Sequence, residues 1–282
     1  MNKFDKRYNE IILEYSENQK QFQNITLAIV PGSFKPPHKG HWDMIMEYAT
    51  HSDKVLVLIS NISEKANSER ILSKSALFPL SKILSNYTVE NKNANSIITS
   101  LKENTDKLTL ESLEKYINDL LKYIDEESDM YKELVNYISK LKRSVLKSIR
   151  KTSTGSEITP EQAKQIFDIF VNAYNMQNKV IVEIGEKASP MSSAVPIIND
   201  ECENCKILLG TSNKSNDGTR WSSFIKSFNK ENNNEFIEES IDVKTNISAT
   251  YIRNNIQNLQ KDWFPNNLTE EDFNKIKLIL KR

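Results

Sequence analysis

Short apolar runs rich in β-branched residues constrain this chain most. Four stand out: ITLAIV at 25–30, KVLVLIS at 54–60, KVIVEI at 179–184 and CKILLG at 205–210, with EFIEESIDV at 235–243 as a fifth candidate. Runs of this kind lack the strict apolar–polar alternation of a strand with one wet face. They need cover on both faces, which points to parallel pairing with helices in the connections. The intervening sequence supplies such helices. Trp42, Ile45, Met46 and Ala49 recur at helical spacing after the first run. Thr159, Pro160 and Gln162 read as the N-cap, first-turn proline and capping-box partner of a helix continuing through QIFDIFVNAY. The expected class is α/β with a parallel sheet.

The glycines divide the chain. They stand at 32, 40, 155, 185, 210 and 218, with none between residues 41 and 154. The strand-and-helix pattern lies outside that gap. Residues 61–156 are rich in Lys, Glu, Ser and Asn and read as helical. Leu110, Leu113, Ile117, Leu120 and Ile124 make one apolar seam; Tyr131, Leu134, Ile138, Leu141 and Val145 make another after the polar break DEESD. Two antiparallel amphipathic helices joined near 125–129 are expected. The organisation expected is an N-terminal helix over 1–23, a parent domain from 24–60 and 157–282, and a helical insertion over 61–156, after the second strand. The insertion is read as packing on the parent domain, or as a lid or homo-oligomer surface.

Lys and Arg together number 38, as do Asp and Glu, so the net charge is zero. A balanced chain is a poor general binder of nucleic acid or anionic membrane. No apolar run reaches 18 residues and the N-terminal MNKFDKRYNE is polar, so no membrane span or signal peptide is expected and a cytoplasmic setting fits. Cys202 and Cys205 form one C-x-x-C, too few ligands for a zinc site without further partners.

Two of the three histidines, His38 and His41, fall in GSFKPPHKGH (32–41), directly behind the first strand. Gly32 permits a tight turn or a close approach. Pro36 and Pro37 stiffen the loop. The start of the following helix offers unpartnered amides and the positive end of its dipole, an anion site suited to phosphate. Imidazoles three residues apart can face the same space and donate to phosphate oxygens. The segment ISATYIRNN (247–255) repeats the theme. Ser248 is a good N-cap, Thr250 and Arg253 share a face, and Ile252 with Ile256 forms the buried side. Arg253 suits two parallel hydrogen bonds to phosphate. Together the segments read as two jaws of a polyphosphate clamp.

Jointly these segments resemble the nucleotidylyltransferase superfamily. The resemblance rests on His38-Lys39-Gly40-His41 after the first strand and on Ile247-Ser248-Ala249-Thr250-Tyr251-Ile252-Arg253 opening a late helix, and covers residues 25–60 and about 157–265. AIVPGSFKPPHKGHWDMI is similar to the start of pantetheine-phosphate adenylyltransferases, and ISATYIR to nicotinamide-mononucleotide adenylyltransferases. The resemblance implies a doubly wound, Rossmann-like sheet. It implies in-line transfer of a nucleoside monophosphate, AMP from ATP, to a phosphomonoester such as nicotinamide mononucleotide or phosphopantetheine, with pyrophosphate leaving. His41 is then expected on the α-phosphate and His38 on neighbouring oxygens, while Ser248, Thr250 and Arg253 hold the β- and γ-phosphates. Gly32, Ser33, Phe34, Gly40, Gly210 and Ile247 complete the implied nucleotide-binding set, and Mg2+ accompanies the triphosphate, held by its oxygens and water. Lys35, Lys187 and Lys214 are candidate phosphate contacts.

The chain departs from the family's pattern at Lys35, where many relatives carry aspartate or asparagine. It departs again after the fourth strand, where GTSNKSNDGTRW has Ser212 in the place of an aspartate. The rival readings are a CTP-dependent cytidylyltransferase and a nucleotide-binding interaction protein without turnover.

Overall fold

The structure is a computed structural model that describes residues 21–147, 149–187, 189–212, 234–241 and 247–281. Residues 1–20, within the expected N-terminal helix, and Lys214 lie outside the described residues. The end of that expected helix is corrected: Phe22–Gln23 is a short strand, β1, pairing in parallel with β5 (Cys202–Glu203). Phe22 is buried in the same core as both cysteines, and Cys205 Sγ donates to the Phe22 carbonyl at 3.3 Å.

The described chain divides into two compact units, one running up to Asn61 and resuming at Lys151, the other spanning Ile62–Arg150. The first is a mixed α/β unit around five parallel strands: β2 (Thr26–Gly32), β3 (Lys54–Ile59), β4 (Val180–Ile184), β6 (Lys206–Ser212) and β7 (Glu235–Ile241). Their spatial order is β4-β3-β2-β6-β7. The chain steps outward from β2 through β3 to β4, then crosses back to the other side of β2. That is the expected doubly wound, Rossmann-like sheet. Its order reverses between β2 and β6, and beyond the carboxyl ends at such a reversal is where ligands lie in open α/β sheets.

The lack of alternation in the strands has its physical cause in two covered faces. Ala28, Val30, Val55, Val57 and Leu208 point into one core with Trp42, Ile45 and Tyr48 of α1 (Lys39–His51) and Phe167 and Phe170 of α7 (Pro160–Ala173). The helix α10 (Glu270–Leu280) adds Phe273 and Ile276 to this face. Leu27, Ile29, Leu56, Leu58, Ile207 and Leu209 point the other way, onto Met191 and Ala194 of α8 (Pro190–Pro196). Each fully buried large side chain contributes about 1.5–3 kcal/mol. The capping box at α7 forms as its sequence signals: Thr159 Oγ1 accepts from Gln162 N at 3.2 Å, and Gln162 Oε1 from Thr159 N at 2.9 Å.

The second unit is all helical, with α2 (Glu64–Glu69), α3 (Lys74–Asn86), α4 (Lys92–Glu103), α5 (Leu110–Leu121) and α6 (Asp129–Leu146). The expected pair is present as α5 and α6, tied by Lys142 Nζ to Glu114 Oε1 at 2.9 Å. The seam of α5 holds Leu110, Leu113, Ile117 and Leu120 buried as expected, while Ile124 lies past the helix end at Leu121 and is only partly buried. The seam of α6 is rotated: Met130, Leu134, Tyr137 and Leu141 are buried, while Ile138 and Val145 sit at the margin. The reason is a second neighbour. Helix α3 also packs on α6, and Tyr137 Oη donates to the Ala76 carbonyl at 3.0 Å. None of the described helices is long and apolar enough to cross a membrane.

Candidate functional site

Strand β2 ends at Gly32, in register with Ile59 of β3. A Cβ on Gly32 would lie 2.5 Å from the tip of the Phe34 ring. The glycine is thus required by the fold of the loop itself, because the ring of Phe34 turns back over it. Phe34 has φ +50°, in the left-handed region where a bulky side chain costs roughly 1–2 kcal/mol. Burial of the ring offsets that cost. It meets the ring of His41 edge-on at 5.1 Å and that of Phe167 at 5.2 Å. Phe34, packed on Phe167, thus bears edge-on against the His41 ring. Substituting Gly32 by Ala should displace the Phe34 ring and lower stability by about 1–3 kcal/mol in urea unfolding. With Phe34→Ala already in place, the same substitution should cost far less, because the clash is gone.

His38 is buried and is the N-cap of α1. Its Nδ1 accepts from Gly40 N at 3.1 Å. In the neutral ring that bond leaves the proton on Nε2, which becomes the donor. The rings of His38 and His41 stack, with centroids 3.8 Å apart and planes 29° from parallel. This arrangement modifies the anion site expected at the helix start. Two amides of the first turn are already engaged, Gly40 N by the His38 ring and His41 N by the His38 carbonyl at 3.0 Å.

The second jaw reaches this loop. Helix α9 (Ala249–Asn254) starts at Ser248, whose hydroxyl accepts from Tyr251 N at 3.1 Å. It has only six residues, so side chains outweigh any helix dipole. Ile252 and Ile256 are buried and Ile247 packs beside them, as the spacing requires. Arg253 lies across the gap between the two segments. One guanidinium nitrogen donates to the carbonyl of Lys35 at 2.5 Å and the other to Thr250 Oγ1 at 2.8 Å. Lys35 precedes His38 by three residues, a span of at most about 11 Å.

A third element was not read from the sequence. Residues 151–157 form a hairpin closed by a Lys151–Glu157 bridge, and Ser153 N donates to the Arg253 carbonyl at 3.0 Å. TSTGS is a turn signature in itself, but only the folded chain shows that the turn backs onto Arg253. The hairpin also bears on Lys35, which is 3% exposed. Burial lowers its ammonium from 10.5 to about 8, against a smaller upward pull from the carboxylates of Glu157 and Glu161.

The other expected residues separate into groups. Ser33 is exposed in the loop, and Gly40 is buried in the first turn of α1. Gly210 sits within β6, where a Cβ would lie 3.1 Å from both the Ile29 carbonyl and the Tyr48 ring, so close packing against β2 and α1 accounts for it. Lys187 follows β4, with β3 between β4 and β2, about 10 Å from strand to strand. Its amide is fixed by Ser193 Oγ at 3.0 Å and its side chain is exposed. Among the described residues no group of three or more His, Cys, Asp or Glu is gathered to hold a metal.

A comparison with known proteins covers the first of the two segments. The family model described as cytidylyltransferase-like matches residues 29–81, which include the second half of β2, the histidine loop, α1 and β3. The match supports the nucleotidylyltransferase superfamily. No curated protein matches the chain.

Proposed function

We propose that this chain, supported as a nucleotidylyltransferase-superfamily protein by residues 29–81, transfers AMP from ATP to a phosphomonoester and releases pyrophosphate. One observation carries the reading. Arg253, more than 200 residues from the histidine loop in sequence, donates to the Lys35 carbonyl within that loop at 2.5 Å. The bond joins the two segments whose sequences each suit phosphate.

In the proposed reaction an oxygen of the acceptor phosphate forms a bond to the α-phosphorus while the bond to the β-phosphate oxygen breaks. No residue of the protein is covalently modified. The work left to the protein is positioning and support of charge in the transition state. His41, met edge-on by Phe34, takes the α-phosphate. The His38 ring is proposed to donate from Nε2 to an adjacent phosphate oxygen. Arg253 supports the departing pyrophosphate together with the hydroxyls of Thr250 and Ser248. Magnesium would come in with the triphosphate, on phosphate oxygens and water, neutralising part of its charge. Nicotinamide mononucleotide and phosphopantetheine are the proposed acceptors.

CTP as the donor is the second reading, favoured by the cytidylyltransferase-like description of the matching family. Both are tested by incubating the full chain with magnesium, ATP or CTP, and each of a panel of phosphomonoesters, and following pyrophosphate. Release is expected with ATP and one of the two named acceptors. Release only with CTP would transfer the assignment to the second reading. Silence with every pair would overturn both.

A further inference from the structure

We propose that the helical unit carries a self-association surface, in which an apolar groove between α3 and α4 receives the same face of a second copy of this chain in a two-fold pair. The inference does not depend on the proposed reaction.

The groove measures about 800 Å³, and every residue lining it falls between Ile71 and Asp106, inside the helical unit. Helix α3 packs on α6 and α4 packs on α5, and the groove lies between the first turns of α3 and the end of α4. Its floor is Leu72, Leu77, Leu80, Leu84 and Leu101, all buried. Ile71 and Phe78 line it too, but they are 60% and 70% exposed, so they project from the face instead of filling it. Single exposed apolar side chains are ordinary, whereas two large ones beside one apolar hollow mark an interaction face.

Two observations select a second copy as the occupant. Projection and hollow belong to the same face. A small apolar ligand would use the hollow and leave Phe78 in water. A two-fold axis through the face sets the Phe78 ring of each chain over the leucine floor of the other, so both are covered at once. The charges agree with this. Lys74, Lys102 and Asp106 line the groove as well, and among the described residues none of the three is in an ion pair. An acidic partner would answer the lysines and oppose the carboxylate, and a basic partner would do the reverse. A copy related by a two-fold brings each sign to its opposite.

The size of the face sets the expected strength. Thirteen residues line the groove, fewer than the roughly 20–30 a side of a standard interface. A weak pair follows, with Kd on the order of 10 μM.

The test is sedimentation equilibrium of the full chain from about 1 to 200 μM. Wild type is expected to pass from monomer to dimer over this range. Phe78→Asp should weaken association about tenfold or more and leave urea unfolding unchanged, because the side chain is exposed in the single chain. The rim charges supply an independent measurement. A chain with Lys74→Glu and Lys102→Glu has an all-acidic rim, and one with Asp106→Lys an all-basic rim. Each alone should associate about tenfold more weakly than wild type, while an equal mixture should recover wild-type association, since only the mixed pair opposes unlike charges across the two-fold. Wild type that stays monomeric at about 200 μM would overturn the proposal without recourse to any variant, and would leave the groove to another occupant. A dimer that Phe78→Asp does not weaken would place the interface elsewhere and overturn it equally. So would a mixture of the two charge variants that associates no better than either alone.

Discussion

Replacing His41 by alanine is expected to lower kcat for pyrophosphate release by about a hundred- to a thousandfold, the usual cost of removing one well-placed transition-state donor. KM for the triphosphate should change little, because the imidazole is proposed to act on charge that develops during transfer. Stability should also change little. His41 is only half-buried, and the α1 cap is made by the His38 ring. His38 provides the contrast. Its Nδ1 caps α1, so His38→Ala should lose about 1 kcal/mol of stability in addition to activity. Paired measurements of turnover and urea unfolding on the two variants separate these roles. His41→Ala turning over within a few-fold of wild type would remove the imidazole from the reaction.

The parts of this architecture that the sequence made legible share one property: each is specified by a few adjacent residues. The α7 capping box was readable because Thr159, Pro160 and Gln162 carry the whole signal within four positions. The strands were readable because burial on both faces leaves continuous apolar runs. The helices α2, α3 and α4 were not resolved individually. They open on single-residue caps at Ser63, Ser73 and Asn91, α2 is only six residues long, and α3 carries Pro79 inside it, a residue that ordinarily ends a helix and so masks the apolar spacing of Leu77, Leu80 and Leu84. In the site, residue types were legible and their partners were not. GSFKPPHKGH announced phosphate chemistry, but that Gly32 serves the Phe34 ring, or that the His38 ring takes an amide offered to a ligand, depends on side-chain direction. The docking of the 151–157 hairpin on Arg253 and the burial of Lys35 depend on contacts over about 100 residues or more of chain, which no local pattern encodes.

Arg253→Ala is expected to lower kcat/KM for the triphosphate by about a hundredfold, or roughly 2.7 kcal/mol. Two losses combine in it. The first is the charge proposed to support the β- and γ-phosphates. The second is the anchor of the histidine loop, since the guanidinium bonds the Lys35 carbonyl. Arg253→Lys separates them. An ammonium group restores the charge as a single point, but it lacks the planar fork that reaches the Lys35 carbonyl and Thr250 Oγ1 at once. If geometry dominates, the lysine variant should fall within about threefold of the alanine variant. Thr250→Val tests the other arm of the fork. It removes one hydroxyl and leaves the bond to Lys35, so a loss of only about three- to tenfold is expected. The order of damage should therefore be Ala, then Lys close behind, then Val at position 250 well above both. A lysine variant with full kcat/KM would show that the fork across the two segments is dispensable. The joint between α9 and the histidine loop would then be a feature of the fold alone, and the reading built on it would lose its main support.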